Sequence, residues 1–211
     1  NPCTLDNCTQ NGPGGKVCAS TPMAEDAPCS DGDVCTINEV CKTGVCKSAT
    51  NACVVAVNWT MDCGTTGWTM SAPSSNSVWA FDATPGTPAP KSPACSLNFN
   101  NGVDFAGTPK GTADSPPVAI VPGQVFKYWT YYDSETGTTY DKKFIEFSTD
   151  GFVTTPLSVQ LTESKTQVWY QPAMISLAQF AGKTIKVRFR FDSVDSIANG
   201  GKGWFIDDVT I

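Results

Sequence analysis

Towards the C-terminus Ile185, Val187, Phe189 and Phe191 alternate with Lys186, Arg188 and Arg190, a period of two that puts an apolar row on one face and cations on the other. This pattern predicts a half-buried β-strand over residues 184–192. Acidic, Asn and Gly residues then form a long turn, and a second strand follows over 203–211. Strict alternation there sets Phe205, Asp207, Val209 and Ile211 on one face and Trp204, Ile206 and Asp208 on the other, so whichever face is buried carries a carboxylate. A buried carboxylate needs a partner: a hard cation, an Arg such as Arg188 or Arg190, or donated backbone N–H groups.

Further strands are predicted over 54–60, 68–70, 77–81, 96–99, 118–121, 124–133, 143–149, 157–161 and 167–170, with a short helical turn at 176–181. Short strands separated by Pro, Gly, Ser and Thr, without helical periodicity, predict an all-β fold: an antiparallel β-sandwich of the jelly-roll type. Within 124–133, alternation sends Phe126, Tyr128 and Tyr132 one way and Trp129 and Tyr131 the other, so one aromatic set lies outside the core unless that sheet is covered. Trp129, Tyr131, Trp169 and Tyr170 are therefore candidates for sugar stacking or a protein interface, beside plain packing.

Before residue 54 the apolar pattern disappears. Residues 1–53 hold eight of the ten cysteines (Cys3, Cys8, Cys18, Cys29, Cys35, Cys41, Cys46 and Cys53) and hardly any large apolar side chain, so this segment must be held by cross-links. Two domains follow: a Cys-rich, disulfide-stapled segment at 1–53 and the jelly roll at 54–211. Ten cysteines with no histidine, and no C-x-x-C knuckle, point to five disulfides and an oxidising, secreted setting rather than a zinc site. Cys63 and Cys95 are left over and are expected to join each other, tying a Pro-rich excursion at 84–94 to the body.

The absence of His removes the Ser-His and Cys-His nucleophiles and histidine-ligated metal hydrolases. Paired carboxylates for glycosidic chemistry would have to come from Asp133, Glu135, Asp141 or Glu146, and no spacing fixes such a pair, so no enzyme is expected. A net charge of -6 argues against nucleic acid or an anionic membrane as partner. No run approaches the ~20 apolar residues of a membrane span. Asn1-Pro2-Cys3 has no signal-peptide features, and any secretion signal is expected to have been removed. Asn7 and Asn58 head glycosylation acceptor patterns.

An imperfect repeat relates Cys3-Thr4, Cys8, Val17-Cys18 and Pro28-Cys29 to Cys35-Thr36, Cys41, Val45-Cys46 and Ala52-Cys53. The string Cys29-Ser30-Asp31-Gly32-Asp33-Val34-Cys35-Thr36, followed by Cys41, Gly44 and Cys46, resembles Cys-rich repeats of secreted multidomain proteins of myxobacteria and related bacteria. Such repeats begin with a Cys ahead of the Asp-Gly turn, which the first unit lacks, so the chain is expected to be a processed product or a fragment. Eight cysteines leave the pairing open; alternation within a unit, Cys29 with Cys41 and Cys35 with Cys46, is one expectation. Asp26, Asp31, Asp33 and Glu39 do not match an EF-hand and read as Asx turns.

Gly67-Trp68-Thr69, Trp79-Ala80-Phe81-Asp82, Phe147-Ser148-Thr149-Asp150-Gly151 and the closing Gly203-Trp204-Phe205-Ile206-Asp207-Asp208-Val209 together resemble a MAM-like or carbohydrate-binding-module-like jelly roll. The resemblance implies first and last strands lying close together with a structural Ca2+ between them. Its ligands would be Asp207 and Asp208, with Asp62 or Asp82 from the early strands. The expected function is a non-catalytic, extracellular structural or adhesive surface protein, self-assembling into a filament through its Cys-rich arm and jelly roll. The alternative is a carbohydrate-binding accessory module of a larger secreted hydrolase. Its partners are thus other copies of itself or a surface polysaccharide.

Overall fold

The computed structural model describes residues 1–10, 16–32, 36–51, 57–71, 79–82, 88–99, 107–162 and 167–211. The chain divides into two compact units, Asn1–Val54 and Val55–Ile211. Among the predicted features, residues 54–56, 77–78 and 84–87, with Asp33, Cys35 and Cys53, lie outside the described residues.

The first unit is two antiparallel hairpins. β1 (Thr4–Gln10) pairs with β2 (Lys16–Pro22), and β3 (Thr36–Lys42) pairs with β4 (Val45–Asn51). Cys8 faces Cys18 across the first hairpin and the two are joined. In the second hairpin Cys41 faces Cys46, yet these sulfurs go elsewhere: Cys3 is bonded to Cys41 and Cys29 to Cys46. The expected Cys29–Cys41 pairing is therefore corrected, and with it the Cys35–Cys46 pairing. The reason is spatial: the segment between the hairpins returns beside β3, where the Cys41 N–H donates to the Ala27 carbonyl at 2.9 Å and the Cys29 N–H to the Glu39 carbonyl at 3.1 Å. In the same place the Glu39 carboxylate accepts from the Asp31 N–H and the Thr36 hydroxyl, which is a contact across the loop and not an Asx turn.

The second unit is a sandwich of two antiparallel sheets. Its strands are β5 (Asn58–Trp59), β6 (Thr69–Ser71), β7 (Trp79–Asp82), β8 (Ser96–Phe99), β9 (Lys110–Asp114), β10 (Val118–Ala119), β11 (Val125–Asp133), β12 (Lys142–Ser148), β13 (Leu157–Gln160), β14 (Ile175–Ser176), β15 (Thr184–Asp192) and β16 (Gly203–Thr210). One sheet runs β13-β12-β15-β9-β6, with β10 on β15; the other runs β14-β11-β16-β8-β7, with β5 on β16. A 3-10 turn at Ala178–Phe180 replaces the longer helical turn expected there. Residues 167–170 do not form a strand; Tyr170 makes only a bridge to Thr130. Cys63 and Cys95 are joined.

Apolar rows from both sheets meet between them. Phe189 of β15 stacks on Trp68 at 6.0 Å and meets Trp204 of β16 edge-on at 5.7 Å, and Phe126, Tyr132, Ile145, Phe147 and Val187 belong to the same buried cluster. β9, which alternation does not reveal, lies between β15 and β6. Its inward residues are Gly111 and Ala113, which carry almost no hydrophobic signal. Gly111 has no room for a side chain, because a Cβ there would sit 2.9 Å from the Ser71 carbonyl oxygen and 3.4 Å from both Trp79 and Phe99.

A second departure lies in β16. Its register against β11 shifts between the pairs Lys127↔Thr210 and Trp129↔Asp207, and Asp208 sits at φ 45°. This bulge lets Trp204, Ile206, Val209 and Ile211 all join the core, where strict alternation would have divided them.

Candidate functional site

The outward row of β11 carries Lys127, Trp129 and Tyr131, and the neighbouring outward positions of β16 are Phe205 and Asp207. An exposed row of this kind would leave aromatic surface in water. Residues 88–94 lie against it instead. The Trp169 indole N–H donates to the Ala89 carbonyl at 2.9 Å, and Lys91 Nζ lies 4.3 Å from the centre of the Trp129 ring. Tyr131 meets Phe205 edge-on at 5.6 Å and Trp169 at 5.8 Å. Tyr131 is thereby buried, and burial pushes its phenol above the ordinary value. Trp129 and Trp169 remain half-buried, so indole surface is left on either side of it. Of the four aromatic candidates, the structure brings Trp129, Tyr131 and Trp169 together. Tyr170 is separate: it joins the core and meets Tyr132 edge-on at 6.5 Å.

Asp207 holds the covering segment in place. Its Oδ2 accepts the Lys91 and Ser92 N–H groups at 2.8 and 3.1 Å, and its Oδ1 accepts the Ser92 hydroxyl at 3.1 Å and the Asp208 N–H at 2.8 Å. The buried carboxylate of β16 thus takes the N–H cradle among the three partners open to it. Neither arginine is its partner: Arg188 pairs with Asp114 and Arg190 with Glu146. Burial raises the Asp207 carboxyl to about 6 against the pull of the Ser92 and Asp208 donors.

This arrangement does not fit a Ca2+ ligand. A carboxylate has about four lone-pair sites, and here four donors occupy them. Asp62 accepts from the Thr60 hydroxyl through Oδ2 and keeps a buried Oδ1 without a hydrogen-bond partner, but a single such oxygen is far from the ~6–8 that Ca2+ requires. Asp82 lies at the end of β7 opposite Ser96, and Asp208 on the bulge. Among the described residues no three carboxylates gather within reach of one ion; the group that does is Cys3, Cys29 and Cys46, all oxidised.

Three of the four carboxylates considered for glycosidic chemistry have partners within the fold, while Glu135 keeps a buried Oε2 without a hydrogen-bond partner. Glu146 pairs with Arg190, Asp133 accepts the Gln167 side-chain amide and the Lys202 N–H, and Asp141 accepts the Glu135 N–H at 2.7 Å. A buried cation that hydrophobic patterning does not reveal, Lys143, stands beside them. Its Nζ donates to the Asp141 and Glu135 carbonyls and the Ser134 hydroxyl at 2.5, 3.2 and 2.8 Å, and lies 4.6 Å from the Tyr132 ring centre. Burial pushes Asp141 up to about 6 and Lys143 down to about 8. The only sign of Lys143 in the sequence is its place on the inward phase of β12. Asn7 and Asn58 are both exposed.

No family model matches the chain, and no curated protein matches it. Several solved structures are similar in fold. TmCBM61 in complex with beta-1,4-galactotriose matches at 21% identity over 68% of this chain and 86% of that one, with a TM-score of 0.44. The K1 cleaved adhesin domain of Lys-gingipain from Porphyromonas gingivalis W83 matches at 16% identity over 73% and 95%, with a TM-score of 0.48. A carbohydrate-binding module of the β-sandwich superfamily matches at 12% identity over 98% and 84%, with a TM-score of 0.47. These likenesses decide neither ligand nor mechanism.

Proposed function

We propose that this chain is a non-catalytic, extracellular carbohydrate-binding module whose ligand stacks on Trp129 and Trp169. The supporting observation is the pair of half-buried indoles flanking Tyr131 on the outer face of β11, each in contact with residues 88–94. A pyranose offers a flat C–H face to an aromatic ring and hydroxyls at its rim, and a ring already fixed loses little freedom on binding. The Lys91 contact with Trp129 is worth about 0.5–1 kcal/mol at an exposed site, so a sugar displaces it easily and gains a donor beside the ring. Four disulfides among the described residues agree with an extracellular setting. The fixed indoles favour this reading over the self-assembling filament, for which no feature of comparable geometry speaks among the described residues.

Affinity electrophoresis through gels of soluble polysaccharides, followed by tryptophan fluorescence titration, tests the proposal. The full chain should be retarded saturably by at least one polymer. Trp129→Ala and Trp169→Ala, with unchanged melting temperature, should each lose roughly ten-fold or more in affinity, equivalent to about 1.4 kcal/mol. Absence of retention on every polymer, or wild-type affinity in both variants, defeats it.

A further inference from the structure

Four cysteines of the first unit gather at one point. The Sγ atoms of Cys3, Cys29 and Cys46, which belong to two different disulfides, all lie within 4.8 Å of one another. The fourth, Cys41, is bonded to Cys3 and sits opposite Cys46 across β3 and β4. Cys8 and Cys18 stand apart from this group, joined to each other across the first hairpin.

Backbone hydrogen bonds aim the four side chains at this point. The Met23 N–H donates to the Cys3 carbonyl at 2.8 Å, and the Asp26 N–H to the Cys41 carbonyl at 2.9 Å. The Cys41 and Cys29 N–H groups return bonds to Ala27 and Glu39, and Pro28 bridges to Val40. Residues 23–29 thus bring Cys3 and Cys29 to β3. Cys46 is presented by the ladder to β4, across a two-residue turn in which Thr43 and Gly44 have φ of 51° and 76°. These bonds set the directions of the sulfurs, but with no apolar core they need a staple to persist.

The arrangement matches a thiolate metal site in two respects. Tetrahedral zinc, with Zn–S bonds of about 2.3 Å, sets its sulfurs about 3.8 Å apart, and Cys3, Cys29 and Cys46 already lie within 4.8 Å. Cys41 and Cys46, four residues apart across a tight turn, also have the spacing of a zinc-binding pair. On opening, each pair of bonded sulfurs has only to part from about 2 Å to that separation.

We propose that the first unit, with Cys3–Cys41 and Cys29–Cys46 reduced, binds one Zn2+ through Cys3, Cys29, Cys41 and Cys46. Metal and disulfides are then alternative staples for the same backbone. Every cysteine enters the chain as a thiol, so this state precedes the disulfides, and a dithiol reductant regenerates it. Each S–S bond takes up two electrons and two protons to give two thiols, while the dithiol is oxidised to a disulfide. Zn2+ then displaces the protons of the four thiols as four Zn–S bonds form. Soft thiolates select Zn2+ over Ca2+ and Mg2+, which take oxygen ligands. In a unit without a core the free energy of binding the metal becomes free energy of folding.

The test reduces the full chain under nitrogen with a water-soluble phosphine, which is oxidised to its phosphine oxide with the oxygen of water. The chain is stripped of metal by a chelator and titrated with Co2+ and then Zn2+. Cobalt should show the visible bands of a tetrahedral ion and sulfur-to-metal charge transfer, and zinc should displace it. One zinc per chain should survive gel filtration, and amide exchange in β1 to β4, at unfolded rates in the reduced metal-free chain, should slow again. Cys29→Ser with Cys46→Ser should weaken binding by more than the roughly 10–100-fold that changes outside the ligand shell cost. Combining Cys8→Ser, Cys18→Ser, Cys35→Ser and Cys53→Ser should leave the cobalt spectrum intact, which the spectrum reads even where a variant is unfolded without metal. An octahedral cobalt spectrum, no retained zinc, undiminished binding without Cys29 and Cys46, or binding lost with the other four cysteines overturns the proposal.

Discussion

The two units of this chain are held by different forces. Among the described residues of the first unit only Cys3, Cys41 and Glu39 are buried, and none of them belongs to the main apolar cluster. In the second unit that cluster joins residues of both sheets, much of it aromatic. Apolar burial contributes roughly 25 cal/mol per Å², a source the hairpins lack. Sulfur takes its place there, by limiting how far the unfolded chain can spread. A short segment can thus be ordered without an apolar core, and its side chains stay available to solvent.

The sharpest way to break this contrast is reduction. Removing a native disulfide from a small secreted domain costs about 2–5 kcal/mol, and the first unit is bridged by Cys3–Cys41, Cys8–Cys18 and Cys29–Cys46. Under dithiothreitol, amide exchange in β1 to β4 should rise to unfolded rates while β11, β12, β15 and β16 stay protected. If the hairpins kept their protection after full reduction, sulfur would not be what holds them.

The reciprocal experiment strikes the core. Phe189 touches Trp68, Phe126, Tyr128 and Trp204, so Phe189→Ala should cost the sandwich about 3–5 kcal/mol. Urea unfolding followed by tryptophan fluorescence reads the loss. Exchange in β1 and β2 should not move, and a matching loss of protection there would show that the hairpins draw stability from the same source.

Alternation makes β15 and β11 legible in the sequence, because large side chains of opposite character mark the two faces. It places Trp129 and Tyr131 outside the core for the same reason. Alternation fails where shape rather than polarity decides. β9 is hidden because its inward residues, Gly111 and Ala113, are small, Gly111 being closely covered by Trp79 and Phe99. Without β9, Asp114 cannot be recognised as the partner of Arg188. The bulge at Asp208 likewise depends on one backbone angle that no hydrophobic pattern records. Sulfur pairing in the first unit follows the return of a loop, and facing positions in a hairpin, Cys41 and Cys46, are a poor guide to it.

The smallest predicted effect is a pH dependence confined to the sandwich. Asp141 and Asp207 both have carboxyls raised by burial to about 6 from 3.8. For a carboxylate raised in this way the folded state binds the extra proton, so its contribution is fully present below 3.8 and is lost as pH rises through about 6. Lys143 acts in the opposite sense: lowered by burial to about 8, it regains stability only as pH rises beyond that value. The ionisable groups facing Asp141 are Lys143, Glu135 and Asp195, and the one facing Asp207 is Asp208. The three groups together predict a shallow minimum between about pH 6 and 8, where many proteins are at their most stable. The unfolding free energy of the sandwich in urea should therefore rise between pH 7 and pH 5, a tenfold change in proton affinity being worth at most about 1.4 kcal/mol. Asp141→Asn retains an oxygen for the Glu135 N–H and should flatten this slope. In the first unit Asp6 and Lys42, perturbed by hydrogen bonds at the surface, should leave hairpin protection, taken relative to the intrinsic exchange rate at each pH, flat over the same interval. A sandwich stability that falls steadily from pH 7 to pH 5 would mean that burial does not govern the two aspartates.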